Sequence, residues 1–151
     1  MPRALVLAVC VVIAGACAAD DPITSPAVGA DPTAITSTVL LDAVDRTVLE
    51  QVIEYPDTGQ AQITAAILDF PPGADTGWHY HETPLIAHVL SGEITVTYDT
   101  ADGQIERTYR AGETLVEAIG THHTGRNDGD EVARLIVVFV GAEGSTNSVG
   151  L

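Results

Sequence analysis

At 151 residues the chain suits one domain with an appendage rather than two domains. Hydrophobic residues make up 46%, enough to fill a core, which excludes disorder throughout. Against 21 acidic residues stand six arginines and no lysine, and a net charge of −15 repels phosphate backbones and anionic membranes, so no nucleic-acid partner is expected.

The opening MPRALVLAVCVVIAGACAAD has one cation, Arg3, then an apolar run from Ala4 to about Ala16 and small residues after it. That is the pattern of a secretory signal, assigned to residues 1–19. The run is shorter than the roughly 20 apolar residues that span a bilayer, which argues against a permanent transmembrane helix. Cys17, behind Ile13-Ala14-Gly15-Ala16, offers a second route: lipoprotein processing, with this cysteine as a lipid anchor and the only tie to a membrane. Either route exports the domain to the extracellular space, the cell surface or the periplasm. Cys10 and Cys17 are the only cysteines and both lie in this leader, so the body holds no disulfide framework and no cysteine-based metal site.

Residues 20–38, rich in Asp, Pro, Ser and Thr and without apolar periodicity, read as a flexible linker. Short β-type segments follow over residues 39–143, with residues 144–151 left as a C-terminal tail. TVLEQVIEY (47–55) reads as a strand stopped by Pro-Asp-Thr-Gly, and QITAAIL (62–68) as a strand leading into the turn FPPGADTG. WHYH and PLIAHVLSGEITVTYD give further strands around a Ser-Gly-Glu turn. Asp102-Gly103 is the strongest hairpin signal, joining the second of these to QIERTYR. TLVEAI, THHTGR and, after the turn NDGD, RLIVVFV (134–140) complete the set. RLIVVFV is apolar on both faces, as a strand between layers would be. Eight to ten short strands without a capped helical stretch predict an all-β sandwich or barrel.

Of five histidines, His79 and His81 stand at i and i+2, so in a strand they share one face while Trp78 and Tyr80 take the other. Two neutral imidazoles side by side can bind a divalent cation; two imidazolium ions there would repel. Taken alone, such a pair is equally a polar strand face. A third ligand must come from elsewhere, and THHTGRN offers His122 or His123, only one of which can join if the segment is extended.

These residues resemble the cupins. The first cupin motif, G-x5-H-x-H-x3,4-E-x6-G, is met by Gly73, His79, His81 and Gly92. The second, G-x5-P-x-G-x2-H-x3-N, is met by Gly112, Gly120, His123 and Asn127, with Ala118 in the proline position. The resemblance spans about residues 45 to 141. It implies a single double-stranded β-helix, the jelly-roll barrel, which often pairs into homodimers. It also implies His79, His81 and His123 as the metal ligands, selecting His123 over His122. The motif's glutamate falls at Leu85, and Glu82 starts out toward the other face, so the fourth ligand is missing.

His88 and His122 are expected at the surface or a subunit contact, and Trp78 and Tyr80 outside the barrel. Glu117 is expected as a solvated strand residue or a rim residue. Leu85, Ala87, Val89, Ile94 and Val96 should face inward and make a small apolar pocket. Glu82 and Tyr98 are the only acid–base candidates. Three neutral imidazoles leave the charge of the ion uncompensated, which an anionic enolate or carboxylate ligand would offset. Imidazole does not choose among Fe, Mn, Zn, Ni and Cu. Two functions follow from the resemblance: a secreted metal-dependent dioxygenase of small molecules, or a non-catalytic cupin that binds or senses a small ligand at the cell surface, with or without metal.

Overall fold

Nine strands and no helix form within residues 33–151, the residues that the computed structural model describes. The segment expected as a secretory signal, Cys17 and the expected linker up to residue 32 lie outside the described residues. In chain order the strands are β1 (Ala61–Phe70), β2 (His79–Tyr80), β3 (Leu85–Ser91), β4 (Glu93–Thr100), β5 (Gly103–Arg110), β6 (Thr114–Val116), β7 (His123–Arg126), β8 (Ala133–Ala142) and β9 (Val149–Gly150). They make two antiparallel sheets, one of four strands ordered β1-β8-β3-β6 and one of five ordered β5-β4-β7-β2-β9. Neighbours in space are mostly distant in sequence, so each sheet interleaves early and late segments.

Period-two alternation explains which side chains meet between the sheets. From β3 and β8, Leu85, Ala87, Val89, Leu135 and Val137 are buried and pack with Ile94 of β4. A second cluster gathers Val96, Tyr98 and Ala118. The five inward residues expected from sequence are all buried. Strand β8 departs from the two-faced burial expected of it: Leu135 and Val137 are buried, whereas Ile136, Val138 and Val140 on the alternate face are half-buried. That face continues onto the outer strand β1, where Ile63 and Ile67 are 63% and 52% exposed.

Residues 47–55 do not form the expected strand. Their only ladder contact is a bridge between Arg46 and Val52. The Thr47 hydroxyl accepts the N–H groups of Leu49 and Gln51 at 3.3 Å each, and Glu50 turns into the left-handed region with φ 62°. Such local side-chain bonds compete with a strand and close a turn instead. The turn is anchored to the barrel by Gln51, whose side-chain amide accepts from Ile119 N–H and donates to Ile119 C=O.

Two tight turns follow the sequence signals. Thr100 and Gly103 close the β4–β5 hairpin. At the β3–β4 turn Gly92 has φ 71°, and a Cβ built there would stand 2.8 Å from Ala133 Cα and 3.0 Å from Val132 O. Gly92→Ala therefore meets backbone as well as a left-handed conformation, and should lower stability by about 2 kcal/mol or more. Gly103→Ala, with nothing within 4 Å of its Cβ, should lose only about 1 kcal/mol from the left-handed conformation. Urea unfolding midpoints of the two variants check the order; a Gly92 variant as stable as the Gly103 one would contradict it.

Candidate metal centre

The two motif segments are joined by backbone before any side chain meets. Gly73 N–H donates to Asn127 C=O, Asn127 N–H to Ala74 C=O, and Thr76 N–H to Gly125 C=O, each at 2.9 to 3.0 Å. Asn127, 1% exposed, fixes the far end: its amide donates to the carbonyls of Phe70 and Glu131. Asp75 accepts from the Thr124 hydroxyl at 2.7 Å and from Gly77 N–H at 2.6 Å, and these bonds hold its carboxyl below the ordinary carboxylate range. With the segments so aligned, His79 falls opposite His123 in the β2–β7 ladder.

His79, His81 and His123 consequently form one cluster, each offering a ring nitrogen within 4.8 Å of the others. Each Nδ1 lies beside a backbone carbonyl: His79 by Gly77 at 2.9 Å, His81 by Asn147 at 2.8 Å and His123 by Thr121 at 2.8 Å. Carbonyls only accept, so each Nδ1 must carry the proton and each Nε2 keeps its lone pair. Yet the Nε2 atoms of His81 and His123 are only 3.3 Å apart. A hydrogen bond between them would require one ring to be charged, which burial opposes. Two nitrogens each about 2.1 Å from one ion stand about 3.0 to 3.4 Å apart for octahedral to tetrahedral angles. The facing lone pairs therefore fit a shared cation, and the three side chains could hold a metal ion.

Residues 144–151, read from the sequence as a tail, take part in this arrangement. Strand β9 pairs with β2, placing Tyr80 opposite Val149 and His79 opposite Gly150. Glu82 accepts from Thr146 N–H at 2.8 Å, and the neighbouring Asn147 carbonyl orients His81. Glu82 is thus engaged with the chain end, away from the imidazoles.

The cluster opens on a cavity of about 380 Å³ whose walls include Leu68, Phe70, Leu85, Ile94, Val96 and Phe139. Trp78, expected outside the barrel, lines this cavity while remaining 37% exposed. Tyr80 and His122 share the opposite face, with ring centroids 5.4 Å apart. His88 lies off the site, its Nδ1 2.8 Å from the Thr114 hydroxyl.

Glu117 overturns its expectation as a solvated or rim residue. It is 6% exposed and lines the cavity. Its Oε1 accepts from the Tyr98 hydroxyl at 2.6 Å, and Tyr98 Oη lies 3.3 Å from Tyr109 Oη. The signal was present in TLVEAI: alternation puts Glu117 on the face of Leu115, an inward residue. Tyr98, an acid–base candidate by sequence, has no exposed surface, and burial pushes its hydroxyl far above the ordinary range.

Desolvation sets the charge states. Burial lowers His79, His81 and His123 against the carbonyl bonds that favour their charged forms, His81 to about 4. Burial raises Glu117 against the bonds from Tyr98 and Ala118. Neutral imidazole is the ligand form, so the pocket prepares the cluster for a cation.

Residues 66–139 match the family model for a cupin domain. The chain thus carries a cupin domain over these residues, with structural neighbours in the cupin superfamily. It is 32% identical over 93 residues to germin-like protein 3-5 of Oryza sativa subsp. japonica, covering 58% of this chain and 41% of that protein. To oxalate oxidase 1 of Hordeum vulgare it is likewise 32% identical over 93 residues, covering 58% and 46%. The chain thus spans less than half the length of these curated relatives. A solved oxalate oxidase structure superposes with a TM-score of 0.51 at 29% identity, covering 59% of this chain and 46% of that one. The oxalate decarboxylase formate complex of Lactobacillus farciminis, at 24% identity and a TM-score of 0.53 over 61% of this chain and 27% of that one, shares the fold.

In metal-free protein the lowered imidazoles bind fewer protons folded than unfolded, so their contribution is present above the ordinary value of 6.5 and lost as pH falls. For His81 the window runs from 6.5 to about 4 and the loss is on the order of 3 kcal/mol. Glu117 has the opposite sign, losing stability as pH rises from 4.5 through its raised value. Through His81 the melting temperature should fall more steeply between pH 7 and pH 5 in the wild type than in His81→Asn. Calorimetry of chelator-treated protein reads both slopes; equal slopes would contradict the buried neutral cluster.

Proposed function

We propose that this cupin is exported, holds one divalent transition-metal ion on His79, His81 and His123, and oxygenates a small, largely apolar molecule bearing an anionic oxygen head. One observation carries the reading: three imidazoles with fixed tautomers converge at the wall of an apolar cavity of about 380 Å³. A bound ion would supply Lewis acidity or, as iron, a partner for dioxygen. The chain's own part is to orient three neutral nitrogens, seat the apolar body of the ligand and exclude water from it.

Oxalate oxidase is among the relatives, yet among the described residues the lining of this cavity includes no arginine and is mostly aliphatic and aromatic. A two-carbon dianion would leave most of the space unfilled and its second carboxylate without a cation. A monoanionic enolate or carboxylate on an apolar body matches the walls better. Leu85, in place of the motif's carboxylate, favours a second reading, a cell-surface cupin that binds its ligand without turning it over.

The test is metal content of the full chain by elemental mass spectrometry, beside His79→Ala/His123→Ala, followed by dioxygen uptake with iron-loaded protein. Near-stoichiometric metal in the wild type, loss in the variant, and uptake with apolar dicarbonyls or enolisable acids are expected. Fully loaded protein that consumes no dioxygen, but copurifies with a small molecule, would turn the assignment to the binding reading. Intact mass of protein from a secreting host reads whether the chain starts at a lipidated Cys17 or after Ala19.

The partner we propose is a second copy of this chain, docked over the outer face where Ile63 and Ile67 are exposed. Light scattering should give twice the chain mass, and Ile63→Lys/Ile67→Lys should halve it; a wild-type monomer would overturn the dimer.

A further inference from the structure

Leu85 occupies the position where the cupin motif carries its carboxylate, and the strand pairing shows what stands beside it. Ile86 of β3 is opposite Val116 of β6, and one step further the Glu117 N–H donates to the Leu85 carbonyl at 2.8 Å. Glu117 is therefore the cross-strand neighbour of Leu85, and both line the same cavity. In antiparallel pairs such neighbours project to the same side about 5 Å apart. Moving the carboxylate from 85 to 117 shifts it by one strand within the four-stranded sheet and keeps it on the cavity that the imidazoles line from the other sheet.

The bonding of Glu117 is one-sided. Both hydrogen bonds to its carboxyl, from the Tyr98 hydroxyl at 2.6 Å and Ala118 N–H at 3.1 Å, fall on Oε1. No hydrogen bond reaches Oε2 among the described residues. Oε2 is not sealed off: it borders the cavity, where water or a bound molecule can reach it. The carboxyl is outside the group of nitrogens lying within 4.8 Å of one another, so it acts beyond the direct ligands.

We propose that Glu117 is the relocated acidic partner of this metal centre. From the neighbouring strand it supplies the negative charge that position 85 lacks, and its free oxygen accepts a hydrogen bond from a hydroxyl or N–H of the molecule held beside the ion. This rests on His79, His81 and His123 holding that ion. The ligand class narrows accordingly: an anionic oxygen for the metal and, within reach of the opposite wall, a hydrogen-bond donor, as in a hydroxy acid or an enediol.

Manganese(II) affinity of the full chain, measured by chelator competition at neutral pH, tests the role without any turnover. Glu117→Gln keeps the shape and can still accept from Tyr98, but removes the charge. Its affinity should fall about ten-fold, and adding Leu85→Glu to it should restore most of that loss. Should the Gln variant not fold, Glu117→Asp compared with Glu117→Asn repeats the charge comparison, the Asp variant binding several-fold more tightly. A Gln variant that folds and binds as the wild type does, or Asp and Asn variants of equal affinity, would overturn the inference while leaving the three-histidine site standing. A wild-type chain that takes up no divalent ion would overturn the metal reading itself.

Discussion

Three Nδ1–H···O=C hydrogen bonds are the constraint on which the centre depends. They come from three separate places in the chain: the turn before β2, the segment before β7, and the C-terminal residues beside β9. Each removes one proton ambiguity and one ring rotation. Together they leave lone pairs facing one another at a spacing that nothing neutral relieves. The alignment of β2 against β7 sets this up, and the backbone bonds between the Gly73–Thr76 turn and Gly125–Asn127 maintain it. Carbonyl partners behind metal-binding histidines raise ligand basicity as well as fix orientation.

The apolar wall acts on the same groups through desolvation. It keeps the imidazoles neutral, which favours a cation, and it raises the Glu117 carboxyl, which opposes an isolated negative charge. A divalent ion reverses both costs at once, because its charge is attracted to the lone pairs and to Glu117. The polar trio Glu117, Tyr98 and Tyr109 makes no hydrogen bond to the histidines among the described residues; Tyr98 meets His123 ring to ring, with centroids 5.7 Å apart. A ligand beside Trp78 would meet hydrocarbon on most sides and polar groups at a few places, among them the imidazoles, Glu117, Thr76 and Ser148.

Much of this was legible in the residues themselves. The alternation Ile94, Val96, Tyr98 and the Asp102-Gly103 turn gave β4, β5 and their register, because hairpins are decided by neighbours in sequence. The i and i+2 spacing of His79 and His81 gave a shared face. TVLEQVIEY misled because its β-branched and apolar residues suit a strand, while the Thr47 hydroxyl offers its backbone nearer partners. Glu117 runs against its charge: its alternation with Leu115 points inward, whereas burial of a lone carboxyl is uncommon.

By itself the sequence determined the class of fold, the number of short strands within a narrow range, and the presence of two histidine-bearing segments at cupin spacing. These rest on local periodicity, turn residues and spacing, all of which act over a few residues. Only the tertiary structure decided that Asn147, 66 residues from His81, would orient it. It also decided that Glu117 would stand beside Leu85, and that the outer face of β1 and β8 would stay partly uncovered. Those outcomes depend on which strands become neighbours across the two sheets, a choice made by closing long loops around a shared core, which no local pattern encodes.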